Sequence, residues 1–234
     1  MKTIAIILAG GSGKRLGADI PKQFLKVNDK MIIEYTIEVF QQHEEVDEIA
    51  IVCHEDYTAF MKKTVSEKGY DKVSKVLNGG EKRFHSSVTA IRAFNDDQPK
   101  KILFHDAVRP LVSASIISDC IAKLDHYKAV GAGIETTDTI WSVRYGNIVS
   151  IPDRRTIYRA QTPQGFDFFT IQKAYNIALQ DEKMPITDDC GVVMHYLFDE
   201  KIATVKGSEN NIKITHKDDL ILFENILNKR LRNK

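Results

Sequence analysis

The chain has little cysteine, almost no net charge and no long apolar run, and each shortage removes a class of protein. Its three cysteines, Cys53, Cys120 and Cys190, are scattered through 234 residues with no CxxC pair or Cys/His cluster. That pattern offers neither a disulfide scaffold nor a structural zinc site, and it predicts buried thiols in a cytoplasmic enzyme. Lys+Arg 33 against Asp+Glu 32 leaves a formal charge of +1. The balance argues against a strongly basic nucleic-acid binder, while a local basic pocket stays open. The longest unbroken apolar run, Ile4 to Ala9, is far shorter than the roughly 20 residues that cross a bilayer. It begins almost at Met1, without the basic region and cleavage site of a signal peptide, so no membrane partner is expected. Repeats, low-complexity stretches and linkers are also missing, and a single domain over 1–234 is expected. What remains, 43% hydrophobic and 28% charged residues, is the composition of an ordinary globular protein.

The first half alternates short β-rich runs with helical patterns. Lys2–Leu8 reads as a continuous apolar strand, Glu48–Val52 as a second and Lys72–Leu77 as a third. Lys101–Phe104 is a buried strand that delivers His105 and Asp106 to its carboxyl end, and Ala129–Ile134 follows as another. Between them, Ile33, Ile37 and Phe40 share one helical face, Tyr57–Lys68 is amphipathic, and Phe84, Val88 and Ile91 mark a third helix. Ile116, Ile117, Cys120, Ile121 and Leu124 line a fourth. Strands separated by helices imply crossover connections: an α/β, Rossmann-like, mostly parallel sheet with helices on both faces. The rhythm breaks near Thr137. Alternation through Thr139–Val143, a turn at Tyr145-Gly146-Asn147 and then Ile148-Val149 predict a protruding hairpin arm over 137–158. Such an arm either joins two subunits or packs on its own. Helix (Phe168–Leu179), strand (Ile202–Val205) and a terminal helix from about Lys217 complete the pattern.

The sharpest local signal is Ala9-Gly10-Gly11-Ser12-Gly13-Lys14-Arg15, followed by Pro21-Lys22-Gln23-Phe24. A glycine-rich turn after the first strand lets backbone N–H groups approach phosphate oxygens, with Arg15 and Lys22 adding fixed positive charge. A tight turn with solvated charges is the plainer alternative. A Walker A loop is excluded, because Gly13-Lys14 is followed by Arg15 and position 8 is leucine. Gly11, Gly13 and Gly17 have the spacing used by short-chain dehydrogenases, yet no tyrosine has a lysine four residues later. A nicotinamide-dependent oxidoreductase is therefore a distant alternative, as is a non-catalytic nucleotide-binding protein.

His105-Asp106-Ala107-Val108-Arg109-Pro110 is the second constellation. A carboxylate at the carboxyl end of a parallel strand sits where open α/β sheets bind ligands. Asp106 suits Mg²⁺, which takes one or two carboxylates plus phosphate oxygens and water. Arg109 can pair with Asp106 or hold a neighbouring loop, and His105 reads as a packing or hydrogen-bonding residue. Further polar clusters occur at Thr137-Asp138-Thr139, Asp153-Arg154-Arg155 and Gln161-Thr162-Pro163-Gln164. Asn211-Ile212-Lys213-Ile214-Thr215 alternates like a strand, placing Asn211, Lys213 and Thr215 on one face.

Together these segments, with Gly79-Gly80-Glu81-Lys82-Arg83, Ser86 and Thr187-Asp188, resemble the cytidylyltransferases acting on small polyol phosphates, over essentially the whole chain. That family includes 2-C-methyl-D-erythritol 4-phosphate and D-ribitol 5-phosphate enzymes. The resemblance implies that CTP and a polyol phosphate give a CDP-polyol and pyrophosphate. It assigns Arg15, Lys22 and Lys213 to catalysis at the phosphates. Ala9, Gly10, Gly11, Gly13, Gly80, Ser86 and Asp106 are implied to bind the nucleotide, with Asp106 holding Mg²⁺. Arg109, Asp138, Thr139, Arg154 and Thr215 are implied to bind the acceptor, the arm reaching it across a homodimer. Cys190 after Thr187-Asp188-Asp189, Val108, the stretch Ile116–Leu124 and Ser208-Glu209-Asn210-Asn211 look like the ribitol-phosphate branch. Arg159-Ala160-Gln161 looks like the methylerythritol branch. The reading favours D-ribitol 5-phosphate, used for teichoic acid or capsule, with the isoprenoid-precursor enzyme as the alternative.

Overall fold

A computed structural model describes residues 1–11, 20–181 and 188–232, with side chains to residue 229. Seven strands form the central sheet: β1 (Lys2–Ala9), β4 (Glu48–Cys53), β5 (Val73–Asn78), β6 (Lys100–Asp106), β7 (Ala129–Glu135), β10 (Tyr158–Asp167) and β11 (Ile202–Lys206). Their order is β11-β7-β10-β6-β1-β4-β5. All neighbours are parallel except β10, which runs antiparallel between β6 and β7. The expected mostly parallel α/β sheet is present.

The apolar run of β1 follows from burial on both faces. Ala5 and Ile7 pack against α1 (Ile32–Gln41), α2 (Glu55–Lys68) and α4 (Ala114–Lys123). Ile4, Ile6 and Leu8 pack on the other side against α3 (Arg83–Ala93), α5 (Phe168–Ala178) and α6 (Asp189–Tyr196). A fully buried Ile or Phe contributes about 1.5–3 kcal/mol, so this two-sided core holds the strand ends rigidly. A third cluster joins Val27, Ile32, Val108, Leu111, Ile214 and Phe223. It ties the ribbon β2 (Lys26–Val27) and β3 (Lys30–Met31) to the loop after β6 and to α7 (Lys217–Arg232). The arm is the small hairpin β8 (Ser142–Arg144) and β9 (Asn147–Ser150). Tyr145 and Gly146 both have positive φ, 51° and 77°, as a tight hairpin turn of this hand requires.

The structure departs from the sequence pattern in three places. β10 occupies a central position, although Pro163 and its polar neighbours argue against a central strand. Its register against β7 shifts between Ala160 and Gln164, and an irregularity of that kind is where a sheet accepts a proline with no N–H to donate. Residues 211–215 join no sheet and do not alternate as expected: Asn211 and Ile214 are buried while Lys213 is exposed, because Asn211 turns inward to bond Thr162 O and Ile214 N donates to Val108 O at 2.9 Å. The short helix α6 has no counterpart in the periodicity of the sequence.

Candidate active site

The carboxyl ends of β1, β4, β5 and β6 open into a cleft with a volume of about 850 Å³. Ala9, Gly10 and Gly11 line it directly beside a floor of Gly79, Gly80 and Ser86. The approach is close: a Cβ at Gly10 would lie 3.2 Å from Ser86 Oγ, and one at Gly79 would lie 2.9 Å from it. Glycine there lets the backbone of both loops approach the Ser86 hydroxyl, where a side chain would crowd it. Gln23, almost fully buried, donates to Ala9 O at 2.5 Å and Gly11 O at 3.0 Å, pinning the start of the glycine loop. The turn that carries it is anchored by Phe24, stacked on Tyr57 at 4.5 Å between ring centroids.

That turn presents Lys22, whose Nζ donates to Ile214 O at 2.8 Å. From the far end of the sequence, Lys213 Nζ lies 2.9 Å from Asp106 Oδ2. Both lysines line the same cleft. Asp106 also faces Arg109 Nε at 3.3 Å and Arg83 Nε at 3.7 Å. Burial opposes ionisation of Asp106, but Lys213, Arg83 and Arg109 together outweigh it and hold the carboxyl well below the usual carboxylate range. Asp106 is therefore a permanent anion in a cationic surround. That surround can neutralise phosphate charge.

Behind the cleft a polar chain fixes the carboxylate. Asp106 N donates to Thr162 Oγ1 at 3.1 Å, and Thr162 Oγ1 lies 3.0 Å from His105 Nδ1. His105 Nε2 then lies 3.1 Å from Arg109 O. The carbonyl can only accept, so His105 carries its proton on Nε2 and accepts from Thr162 at Nδ1. Burial pushes the His105 pKa down to about 4 despite the Arg109 carbonyl; it is a neutral structural link at pH 7. Arg109 is buried and donates to Asn211 O at 2.8 Å and Ala160 O at 3.4 Å. Asn211 Nδ2 in turn donates to Thr162 O at 2.9 Å. These bonds seat the segment that carries Lys213.

Thus Lys22, Lys213, Asp106, Ala9, Gly10, Gly11, Gly80 and Ser86 meet in one cleft, while Gly13 and Arg15 lie outside the described residues. Asp138, Thr139 and Arg154 stand at the exposed base of the arm and not among the cleft lining, Arg154 Nη1 donating to Thr137 O at 3.1 Å. Thr215 N donates to Asp219 Oδ2 at 2.7 Å and its hydroxyl to Lys213 O at 3.1 Å, at the start of α7.

Residues 3–229 match the model of the IspD, 2-C-methyl-D-erythritol 4-phosphate cytidylyltransferase, family. The chain belongs to this family. It is a nucleotidyltransferase of the cytidylyltransferase class, and the oxidoreductase alternative falls away. One relative, the bifunctional ribulose 5-phosphate reductase/CDP-ribitol pyrophosphorylase Bcs1 of Haemophilus influenzae, is 42% identical over 98% of this chain. The chain spans only 49% of that relative's length. The 2-C-methyl-D-erythritol 4-phosphate cytidylyltransferase of Thermobifida fusca is 39% identical, covering 97% of this chain and 93% of its own. Among solved structures, the 4-diphosphocytidyl-2C-methyl-D-erythritol synthase of Anaerococcus prevotii superposes with a TM-score of 0.85 at 28% identity, covering 97% of this chain and 96% of its own.

Within this IspD-family site, sequence reasoning singled out neither Arg83, Asp189, Gln23 nor Gln164 for a role. Arg83 ends a segment that stands out in sequence for its glycines. Asp189 carries no such signal, since an acid in the first turn of a helix is ordinary, and only its burial sets it apart. Gln164 clamps the start of that helix, accepting from Asp189 N at 3.0 Å and Cys190 N at 3.1 Å.

Proposed function

We propose that the protein transfers CMP from CTP to a polyol phosphate, releasing pyrophosphate, with D-ribitol 5-phosphate as acceptor and CDP-ribitol as product. One cleft that holds Lys213 beside Asp106, Lys22 on the Ile214 carbonyl next in sequence, and the glycines with Ser86 carries this reading. The acceptor's phosphate oxygen is already a nucleophile and needs no general base. Attack in line on the α-phosphorus therefore depends on position and charge neutralisation. Lys22, with Arg15, neutralises the α-phosphoryl charge; Lys213 contacts the phosphates from the opposite wall; Gly10, Gly80 and Ser86 read the base. Arg109 acts behind Asp106, holding both it and the 207–215 segment.

Among the described residues no group of three or more His, Cys, Asp or Glu is placed to hold a metal. Asp106 is ionised, Lys213 and Arg109 face its Oδ2, and its Oδ1, with Arg83 Nε 3.7 Å away, is the oxygen that would hold an Mg²⁺ arriving with the triphosphate, the other ligands coming from phosphate and water. Such an ion would supply further charge neutralisation on the phosphates. No helix among the described residues is long and apolar enough to cross a membrane, and a cytoplasmic, CTP-containing compartment is the place this reading implies. The arm supports a homodimer: Ile140, Trp141, Val143, Ile148, Val149 and Ile151 all leave apolar surface exposed. A partner's arm would bring Asp138, Thr139 and Arg154 to the acceptor.

The greater identity to the CDP-ribitol relative supports D-ribitol 5-phosphate. The methylerythritol acceptor of the isoprenoid route is the second reading, supported by the Thermobifida relative of nearly equal identity. Pyrophosphate release is measured with CTP, Mg²⁺ and each acceptor in turn. Turnover with D-ribitol 5-phosphate alone is expected. Turnover with 2-C-methyl-D-erythritol 4-phosphate alone reverses the acceptor, and CTP binding with no turnover on either leaves a nucleotide-binding protein.

A further inference from the structure

We infer that Asp189 is a positioning residue: its buried carboxylate sets where Arg83 stands in the cleft and so keeps Arg83 from closing onto Asp106. The inference rests on the nucleotide reading of the cleft. Asp189, the first residue of α6, is fully buried. Its Oδ1 accepts from Tyr175 OH at 2.5 Å and Ser87 Oγ at 2.7 Å, groups supplied by α5 and α3. Two hydroxyls on one oxygen fix the rotation of the carboxylate and leave Oδ2 for Arg83, whose Nη1 lies 2.5 Å away. The backbone is held too, by the Gln164 amide from β10. Three helices and the central antiparallel strand thus converge on one anion outside the cleft lining.

Arg83 spans the two carboxylates. Its Nη1 meets Asp189 in direct contact, whereas its Nε stands 3.7 Å from Asp106, beyond hydrogen-bond range. Its Nη2 and Asp189 Oδ2 are both buried without an aligned hydrogen bond among the described residues, so the pair is held by charge at contact distance. Burial works against the charged guanidinium, but Asp189 and then Asp106 more than offset this and raise its pKa. Without the charge on Asp189, Asp106 is the one carboxylate left beside Arg83 among those contacts. The guanidinium then moves onto Asp106 and withdraws both groups from the ligand.

The test is a double-mutant cycle with steady-state kinetics and CTP titration calorimetry on the full chain. Asp189→Asn is expected to raise KM for CTP by about tenfold or more, with kcat and the acceptor KM changed far less, because charged groups sharing contacts couple strongly. In an Arg83→Gln background the same change is expected to have almost no further effect on KM. Asp189→Glu, which restores the charge, recovers part of the loss. Equal effects of Asp189→Asn in both backgrounds would overturn the inference, since a merely structural role adds independently. If Asp189→Asn does not fold, Tyr175→Phe, which frees the carboxylate but keeps its charge, runs through the same cycle: a smaller KM shift that vanishes in the Arg83→Gln background supports the inference, and an equal shift in both backgrounds overturns it. A wild-type protein that binds no CTP removes the nucleotide reading and the inference together; wild-type binding with an additive cycle removes the inference alone.

Discussion

Behind the cleft, charged and polar groups are buried and almost all are partnered; on the arm, apolar groups stand exposed. Asp106, Arg109, His105 and Asn211 are buried and bonded to one another or to nearby backbone. Trp141 is 59% exposed and Ile148 50%, on a two-stranded ribbon that pairs with no other strand among the described residues. An isolated two-stranded hairpin is marginal in water. Among the described residues, the first region pairs its polar groups within the chain, and the second leaves its apolar groups uncovered.

Breaking the cleft should cost activity without the fold. Lys22→Ala is expected to lower kcat by about 10³-fold, the scale of losing one preorganised charge at a transition state. The thermal midpoint should move little, since the Lys22 ammonium bonds a backbone carbonyl at the cleft edge and is not part of the apolar core. A near-wild-type rate in the pyrophosphate assay would sink the role given to Lys22.

Acid should weaken the wall behind the cleft through His105. Its folded-state pKa, about 4, lies below the ordinary histidine value of 6.5. The unfolded chain therefore takes up a proton first, and stability present above pH 6.5 is lost as pH falls toward 4. The loss amounts to about 3 kcal/mol across that window. Denaturant titrations between pH 7 and 4 read the slope, and His105→Gln should flatten it. An unchanged slope in that variant would assign the pH dependence to other groups. Asp106 adds nothing in this window, because its folded pKa is depressed and its contribution fades only at lower pH.

The arm should show the reverse pattern. Trp141→Asp is expected to shift the protein from dimer to monomer in light scattering. Surface substitutions of this kind usually change protomer stability by less than about 0.5 kcal/mol. A dimer that survives Trp141→Asp and Ile148→Asp together would place the interface elsewhere.

The parallel strands and the helices between them were legible because their apolar residues recur with clean period, and most cleft residues directly follow a strand. The hairpin was legible for the same reason, from alternation and a Tyr145-Gly146 turn. β10 was not. Pro163 and the polar run Gln161-Thr162-Gln164 look like a loop, yet each polar side chain bonds a neighbouring segment: Gln161 to Ser208 O at 2.8 Å, Thr162 to Asp106 N at 3.1 Å and Gln164 to Asp188 Oδ2 at 2.7 Å. Polarity in a central strand is tolerated when every group is paired, and pairing is invisible in one dimension. The link between Arg83 and Asp189 is hidden for a related reason: more than a hundred positions of chain separate them.

By itself the sequence determined the alternation of strands and helices, the glycine turn after β1 and the presence of cations at both ends of the chain, since local period and side-chain chemistry specify these. Only the tertiary structure decided that Lys22 and Lys213 share a cleft, that Arg109 works from behind it and that Arg83 is held between two carboxylates. Those outcomes depend on distances across the sheet, and such distances follow from how strands are ordered and buried, not from any neighbour in sequence.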